Sequence, residues 1–84
     1  MPDGCSPICR AVALRRVEPD RRMALFYALA IERDLFGTVR LVRNWGRIGT
    51  RGRERAEEYE TEFEARTALE ALARAKRRRG YQDL

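Results

Sequence analysis

Arg43, Trp45 and Arg47 stand two residues apart at the end of a strand-like apolar run (Val39, Leu41, Val42). In an extended chain that spacing puts their three side chains on one face. An indole between two guanidinium groups suits phosphate together with sugar or base, because the ring offers a stacking surface and each guanidinium a fork of donors. Trp45 is the only tryptophan in the chain, and the glycine after it lets another backbone or a ligand approach closely. Within Arg43–Arg53 there are three glycines and four arginines (Arg43, Arg47, Arg51 and Arg53). A second basic locus follows at Arg74, Lys76, Arg77, Arg78 and Arg79. Helix capping uses only one or two such bases, so part of this run is left for polyanion binding. Spacing alone leaves open the blander reading, in which Trp45 fills a core and the arginines are merely solvated.

The wider charge pattern sets these residues in context. The chain has 84 residues and a net charge of +5, and Lys76 is its only lysine. Residues 1–53 carry eleven Arg and five acids, residues 54–70 two Arg and seven acids, and residues 71–84 five bases and one acid. The chain is therefore polarised, with an acidic segment between two basic ones. Clustered arginine favours a polyanionic partner, nucleic acid before membrane, because no hydrophobic segment is long enough to span or anchor. The absence of a charged and then apolar leader argues for an intracellular, cytoplasmic protein.

Several chemistries find no parts here. The chain has no histidine, no Cys or Ser nucleophile beside a base, and no glycine-rich phosphate loop opening a helix. Cys5 and Cys9 supply two ligands where a structural zinc needs four, so neither a metal nor a cofactor is expected. Reduced thiols in a mobile tail are the expectation for both. The sequence reads as a non-enzymatic protein.

The elements that must position the basic residues can be taken in order. Pro2, Gly4 and Pro7 make residues 1–10 a flexible leader, and residues 11–84 a single domain that buries about 60–65% of its extended-chain surface. Ala11–Val17 alternates as a first strand, and Glu18-Pro19-Asp20 turns the chain among Arg15, Arg16, Arg21 and Arg22. Arg22–Glu32 is long and apolar enough for helix or strand. Met23, Leu25, Tyr27, Leu29 and Ile31 at period two favour strand. Arg33–Gly37 connects to a strand from Thr38 that delivers Trp45, and the charge of Arg53–Glu60 fits an edge strand. Thr61 and Glu64 match a capping box, opening a helix whose Ala65, Ala68, Leu69, Leu72 and Ala75 form an apolar stripe. Gly80 sits at its expected end, Tyr81 folds back, and Gln82–Leu84 should fray. The class is α+β: a small, twisted, mostly antiparallel sheet of about four strands with one C-terminal helix packed on it.

In this context Trp45-Gly46-Arg47-Ile48-Gly49 resembles the WGR domain, a small module named for its tryptophan-glycine-arginine signature. The resemblance covers roughly Ala11 to Tyr81: apolar strand, glycine-containing hairpin, strand ending in the motif, charged strand, and a helix closing on basic residues. It implies a short twisted sheet with one helix, in agreement with the reading above. In DNA-dependent poly(ADP-ribose) polymerases the WGR domain binds near a strand break and relays that contact to a catalytic domain. There the motif tryptophan packs on the sugar-phosphate backbone and basic residues contact phosphates. The resemblance thus implies stacking for Trp45, a phosphate contact or structural bracket for Arg47, and close approach at Gly46. Eighty-four residues leave no room for a transferase domain, so binding is what carries over. One conflict stands, because Val39 and Leu41 share parity with Trp45: either a bulge re-aims the strand or the indole packs partly into the core.

Two functions follow. The first is a nucleic-acid-binding module, DNA more than RNA and largely sequence-independent, using Arg43, Trp45, Gly46, Arg47, Arg51, Arg53, Lys76, Arg77 and Arg78. The second is a protein-interaction or regulatory module in which Glu54–Glu70 and the Trp45 surface dock a partner protein and the motif serves the fold.

Overall fold

Period-two patterning runs through most of the chain, and a computed structural model, which describes residues 8–84, turns it into one antiparallel sheet. The strands are β1 (Ile8–Glu18), β2 (Met23–Arg33), β3 (Val39–Arg47), β4 (Arg53–Tyr59) and β5 (Gln82–Asp83), in the order β4-β3-β2-β1-β5. A one-turn 3-10 helix (Pro19–Arg21) links β1 to β2, and a single helix α1 (Glu62–Arg78) crosses one face. The α+β class is as expected. The fifth strand is an addition of two residues.

The ambiguous run in β2 is a strand because its two faces have different uses. Tyr27, Leu29 and Ile31 are buried under α1, together with Leu14 of β1 and Val39 and Leu41 of β3. The alternate positions, Ala24, Phe26, Ala28 and Ala30, lie on the face that α1 leaves uncovered. Ala65, Leu69 and Ala73 seal the core from above. Each fully buried Leu or Ile among Leu14, Leu29, Ile31, Leu41 and Leu69 stabilises the fold by about 1.5–3 kcal/mol relative to exposure. The stripe takes in Ala73, whereas Ala75 is exposed. On a helical wheel both alanines lie about 80° from the stripe's centre on opposite sides, so sequence period cannot rank them.

The ends of α1 are fixed by local chemistry. Thr61 is the N-cap, and its Oγ1 accepts a hydrogen bond from the Glu64 backbone N–H at 3.1 Å. At the other end Tyr81 N–H donates to the Lys76 carbonyl and Gly80 N–H to the Arg77 carbonyl, both at 3.1 Å. That paired pattern is a Schellman motif with Gly80 at C′.

Two expectations change at the chain's ends. Ile8, Cys9 and Arg10, assigned to the leader, are residues of β1; the rest of the expected leader, Cys5 included, lies outside the described residues. Cys9 is half-buried against the core, where desolvation and the charge of Glu62 push its thiol pKa up. Gln82–Leu84 does not fray. The Schellman turn reverses the chain onto the unpaired edge of β1, where Gln82 and Asp83 pair with Arg15 and Leu14, and Leu84 N–H reaches the Ala13 carbonyl at 3.0 Å. Arg77 then grips Asp83 with two 2.8 Å hydrogen bonds.

Candidate nucleic-acid interface

The pairing of β2 with β3 is unbroken from Arg33–Val39 to Leu25–Arg47, so no bulge re-aims the motif. Trp45 therefore lies on the helix-covered face, in line with Val39, Leu41 and Arg43, and directly opposite Tyr27. The indole meets the Tyr27 ring edge-on, with centroids 6.2 Å apart and planes at 80°. It is half-buried, because α1 ends beside it. Of the alternatives that the parity conflict posed, the partly packed indole is the one realised.

The end of α1 supplies the next wall. Lys76 Nζ lies 4.5 Å from the centroid of the Tyr27 ring and 5.6 Å from that of Tyr81, a cation held by two aromatic faces. Tyr27, Arg43, Trp45 and Lys76 together line a shallow cavity of about 210 Å³. Burial, and then the positive charges of Arg79 and Arg43, lower the Lys76 pKa. Two cations, Arg43 and Lys76, thus share the cavity with the charge of Arg79 acting on it, and the ammonium would gain from an anion placed beside them.

Arg43 is only partly answered within the chain. It pairs with Glu57 at 3.1 Å, yet its Nε is buried without a hydrogen-bond partner. Across the ladder it faces Arg55, a like-charge pair that Glu57 offsets and an added anion would relieve further. Arg53 faces Trp45 in the same register and is exposed, and Arg47 and Arg51 are exposed around the turn. Among the described residues no carboxylate lies within ion-pair distance of Arg47, Arg51 or Arg53.

The glycines of the motif serve the turn. A Cβ on Gly46 would stand 2.7 Å from Gly52 Cα, and one on Gly52 would stand 2.2 Å from the Trp45 carbonyl oxygen and 2.8 Å from Phe26 Cζ. The close approach at Gly46 is thus made by the chain itself, with the Phe26 ring packed against both glycines from the uncovered face. Asn44 braces the same hairpin, its Nδ2 donating to the Arg53 carbonyl at 2.9 Å.

Of the nine residues singled out in the sequence, Arg43, Trp45 and Lys76 share the cavity, while Arg47, Arg51 and Arg53 ring the adjoining hairpin. Gly46 shapes that hairpin. Arg77 is committed to Asp83 on the β5 side, which also raises its pKa, and Arg78 is exposed on the helix. Sequence reasoning did not assign Tyr27, Tyr81 or Arg55 to the site, and placed Arg79 only in the general basic run at the helix end. Tyr27 could have been found by counting the ladder outward from the Arg33–Val39 hairpin closure. A neighbouring cleft of about 640 Å³ is lined by Arg16, Arg21 and Arg79 among others. Its own Glu18 already takes Arg16 at 2.8 Å and Arg21 at 3.7 Å, so it presents less unanswered charge.

Among the described residues there is no group of three or more metal-ligating side chains and no helix long and apolar enough to cross a membrane. Comparison with known proteins gives a match to the family model described as WGR domain, over residues 10–84. The chain belongs to the WGR family. It is 44% identical over 69 residues to the uncharacterized protein y4dW of Sinorhizobium fredii (strain NBRC 101917 / NGR234). That match takes in 82% of this chain but 34% of the relative, so the WGR chain spans about a third of the curated relative's length. No solved structure matches it. WGR domains act as nucleic-acid-binding modules in poly(ADP-ribose) polymerases, and no catalytic family is indicated for this one.

Proposed function

We propose that this WGR domain is a non-enzymatic module that binds nucleic acid, DNA before RNA, through the sugar-phosphate backbone and largely without regard to sequence. The observation that carries the reading is the half-buried Trp45 in a cavity whose other walls bring Arg43 and Lys76 together. In this reading the exposed part of the indole packs on sugar or base. Arg43 and Lys76 take one phosphate, and Arg47, Arg51 and Arg53 take its neighbours along the strand. Lys76 keeps its charge when the phosphate arrives, because an anion opposes the desolvation that depresses it.

The test is fluorescence anisotropy with blunt, nicked and single-stranded oligonucleotides at two salt concentrations. Backbone binding predicts that log affinity falls with log salt by about 0.9 per phosphate neutralised on duplex DNA. Binding that is absent at low salt refutes the proposal. The second reading, a protein-docking surface, draws on the Arg43–Glu57 ion pair and the glycines that serve the turn. It predicts instead a partner retained after nuclease treatment.

A further inference from the structure

Seventeen of the chain's 18 Lys plus Arg residues are arginine, and the one lysine, Lys76, stands where its amine can do what a guanidinium cannot. Its Nζ lies 4.5 Å from the centroid of the Tyr27 ring and 5.6 Å from that of Tyr81, in the cavity that it lines with Tyr27, Arg43 and Trp45. A guanidinium there would stay charged, whereas an ammonium can give up its proton and become a nucleophile. The surroundings of Lys76 favour that loss. Half-burial comes first, and the charges of Arg79 on α1 and Arg43 on β3 add to it, so its pKa is lowered. No carboxylate lies within ion-pair distance of Lys76 among the described residues.

A DNA strand offers such an amine an electrophile wherever a base has been lost. The bare deoxyribose opens in part to a free aldehyde at C1′, next to its phosphates and below a gap in the stack. The residues of the cavity match those parts. The indole can occupy the gap as apolar side chains do between base steps, Arg43 can take a phosphate, and the amine of Lys76 shares the cavity with both. At about 210 Å³ the cavity falls below the about 300–1,000 Å³ of pockets for drug-sized ligands, so it suits a sugar without its base better than a whole nucleotide.

We propose that this cavity captures abasic sites in DNA through a Schiff base to Lys76. The proposal rests on the reading of the cavity as a nucleic-acid contact and adds a covalent step to it. The Nζ lone pair of neutral Lys76 attacks C1′; the C–N bond forms as the carbonyl π pair moves to oxygen, and the proton that nitrogen sheds ends on that oxygen. The carbinolamine then takes a proton from solvent and expels the oxygen as water, leaving an iminium. Nothing is oxidised or reduced. The iminium is again a cation, so it keeps the tyrosine faces and the phosphate that serve the ammonium on an intact strand. No carboxylate lines the cavity to remove the C2′ proton, the step that strand cleavage would need. Capture is therefore stoichiometric and reversible, as befits a module that turns nothing over.

The test mixes the full chain with a duplex carrying one abasic site, or with the intact duplex, in the presence of cyanoborohydride, which reduces an iminium to a stable secondary amine. An adduct of one chain per duplex forms with the abasic duplex only, and peptide mass mapping puts it on Lys76 rather than on the chain's α-amine. Lys76→Arg keeps the cation, so affinity for the intact duplex by anisotropy stays within about twofold, while adduct at equal occupancy falls at least about tenfold. Adding Arg78→Lys to Lys76→Arg returns one lysine to an exposed position on the same helix and does not restore the adduct. Should Lys76→Arg fail to fold, the mass map of the wild-type adduct decides alone. Binding to the intact duplex with no adduct on the abasic one, an adduct on the α-amine, or recovery through Arg78→Lys overturns the capture and leaves the binding reading standing. Failure to bind either duplex at low salt refutes that reading and the capture with it.

Discussion

Gly49 and Gly52 make a matched pair for testing how the motif's turn is built. Both have backbones that L side chains rarely adopt, with φ of +98° and +70°. They differ in space: nothing lies within 4 Å of a Cβ on Gly49, whereas one on Gly52 meets the Trp45 carbonyl oxygen at 2.2 Å and the Phe26 ring at 2.8 Å. Alanine at either position carries a backbone cost of about 1–2 kcal/mol, offset by about 0.4–1 kcal/mol from the stiffer unfolded chain. Gly49→Ala should therefore destabilise by about 1 kcal/mol. Gly52→Ala adds an overpacking cost of about 1–3 kcal/mol, because the Trp45 carbonyl it meets is backbone and cannot swing away, giving about 2–4 kcal/mol in all. For a domain of this size about 1 kcal/mol moves Tm by about 4–8 °C, so Gly52→Ala should melt about 10–25 °C below wild type and Gly49→Ala about 5 °C below. Thermal denaturation followed by circular dichroism measures both. Equal melting losses would refute the steric argument and leave only backbone strain. In a folded Gly52→Ala chain the displaced Trp45 backbone should also weaken oligonucleotide binding, an effect Gly49→Ala should lack.

Trp45→Ala should reduce oligonucleotide affinity at least about tenfold, since base-aromatic stacking is worth about 1–3 kcal/mol, while Trp45→Phe keeps part of it. Anisotropy titrations on folded protein decide this, and unchanged affinity in Trp45→Ala counts against the proposed site. Arg53→Ser should lower the salt slope by about one phosphate and Arg77→Ser should leave it unchanged, because Arg77 is engaged with Asp83. Salt titrations of both variants read out the slopes. Backbone N–H groups of Thr38 and then Phe36, donating to the Asp34 carboxylate in the β2–β3 hairpin, hold its pKa below its ordinary value. A lowered folded pKa means stability that is present above the ordinary carboxylate value and lost as pH falls through the folded value. Asp34→Ala should therefore melt below wild type at neutral pH, and the gap should close in acid. A gap independent of pH would show that the carboxylate's charge is not what orders the hairpin.

Much of the scaffold was legible because its signals are local. Thr61 with Glu64 marks a helix start through the hydrogen bonds a helix start lacks, and Gly80 marks its end through a backbone conformation that other residues resist. Alternation settled β2 as a strand, since a one-residue shift would send Tyr27, Leu29 and Ile31 to the uncovered face. What stayed hidden depends on distance in sequence. Whether Gly46 makes room for a ligand or for Gly52 cannot be read from a triplet, because either use needs the same missing Cβ. That Arg77 spends its charge on Asp83 and Lys76 on two tyrosines depends on how the chain reverses after the helix, a reversal set by the empty edge of β1. The indole's parity was visible. The missing information was that α1 stops beside it, leaving the ring half-buried.

The order in which the sheet is threaded has a further consequence for how the site comes into being. β1 to β4 form a meander in which every strand pairs with its neighbour in sequence, so these contacts close over short loops and can zip early. The cavity needs Lys76, Tyr81 and the strand that anchors them, all of which come after the meander. A ribosome-bound or C-terminally clipped chain can thus hold its sheet and its exposed Trp45 while lacking the cationic wall. In the proposed reading, the Lys76 side of the cavity is then completed only once residues 79–84 have docked along β1.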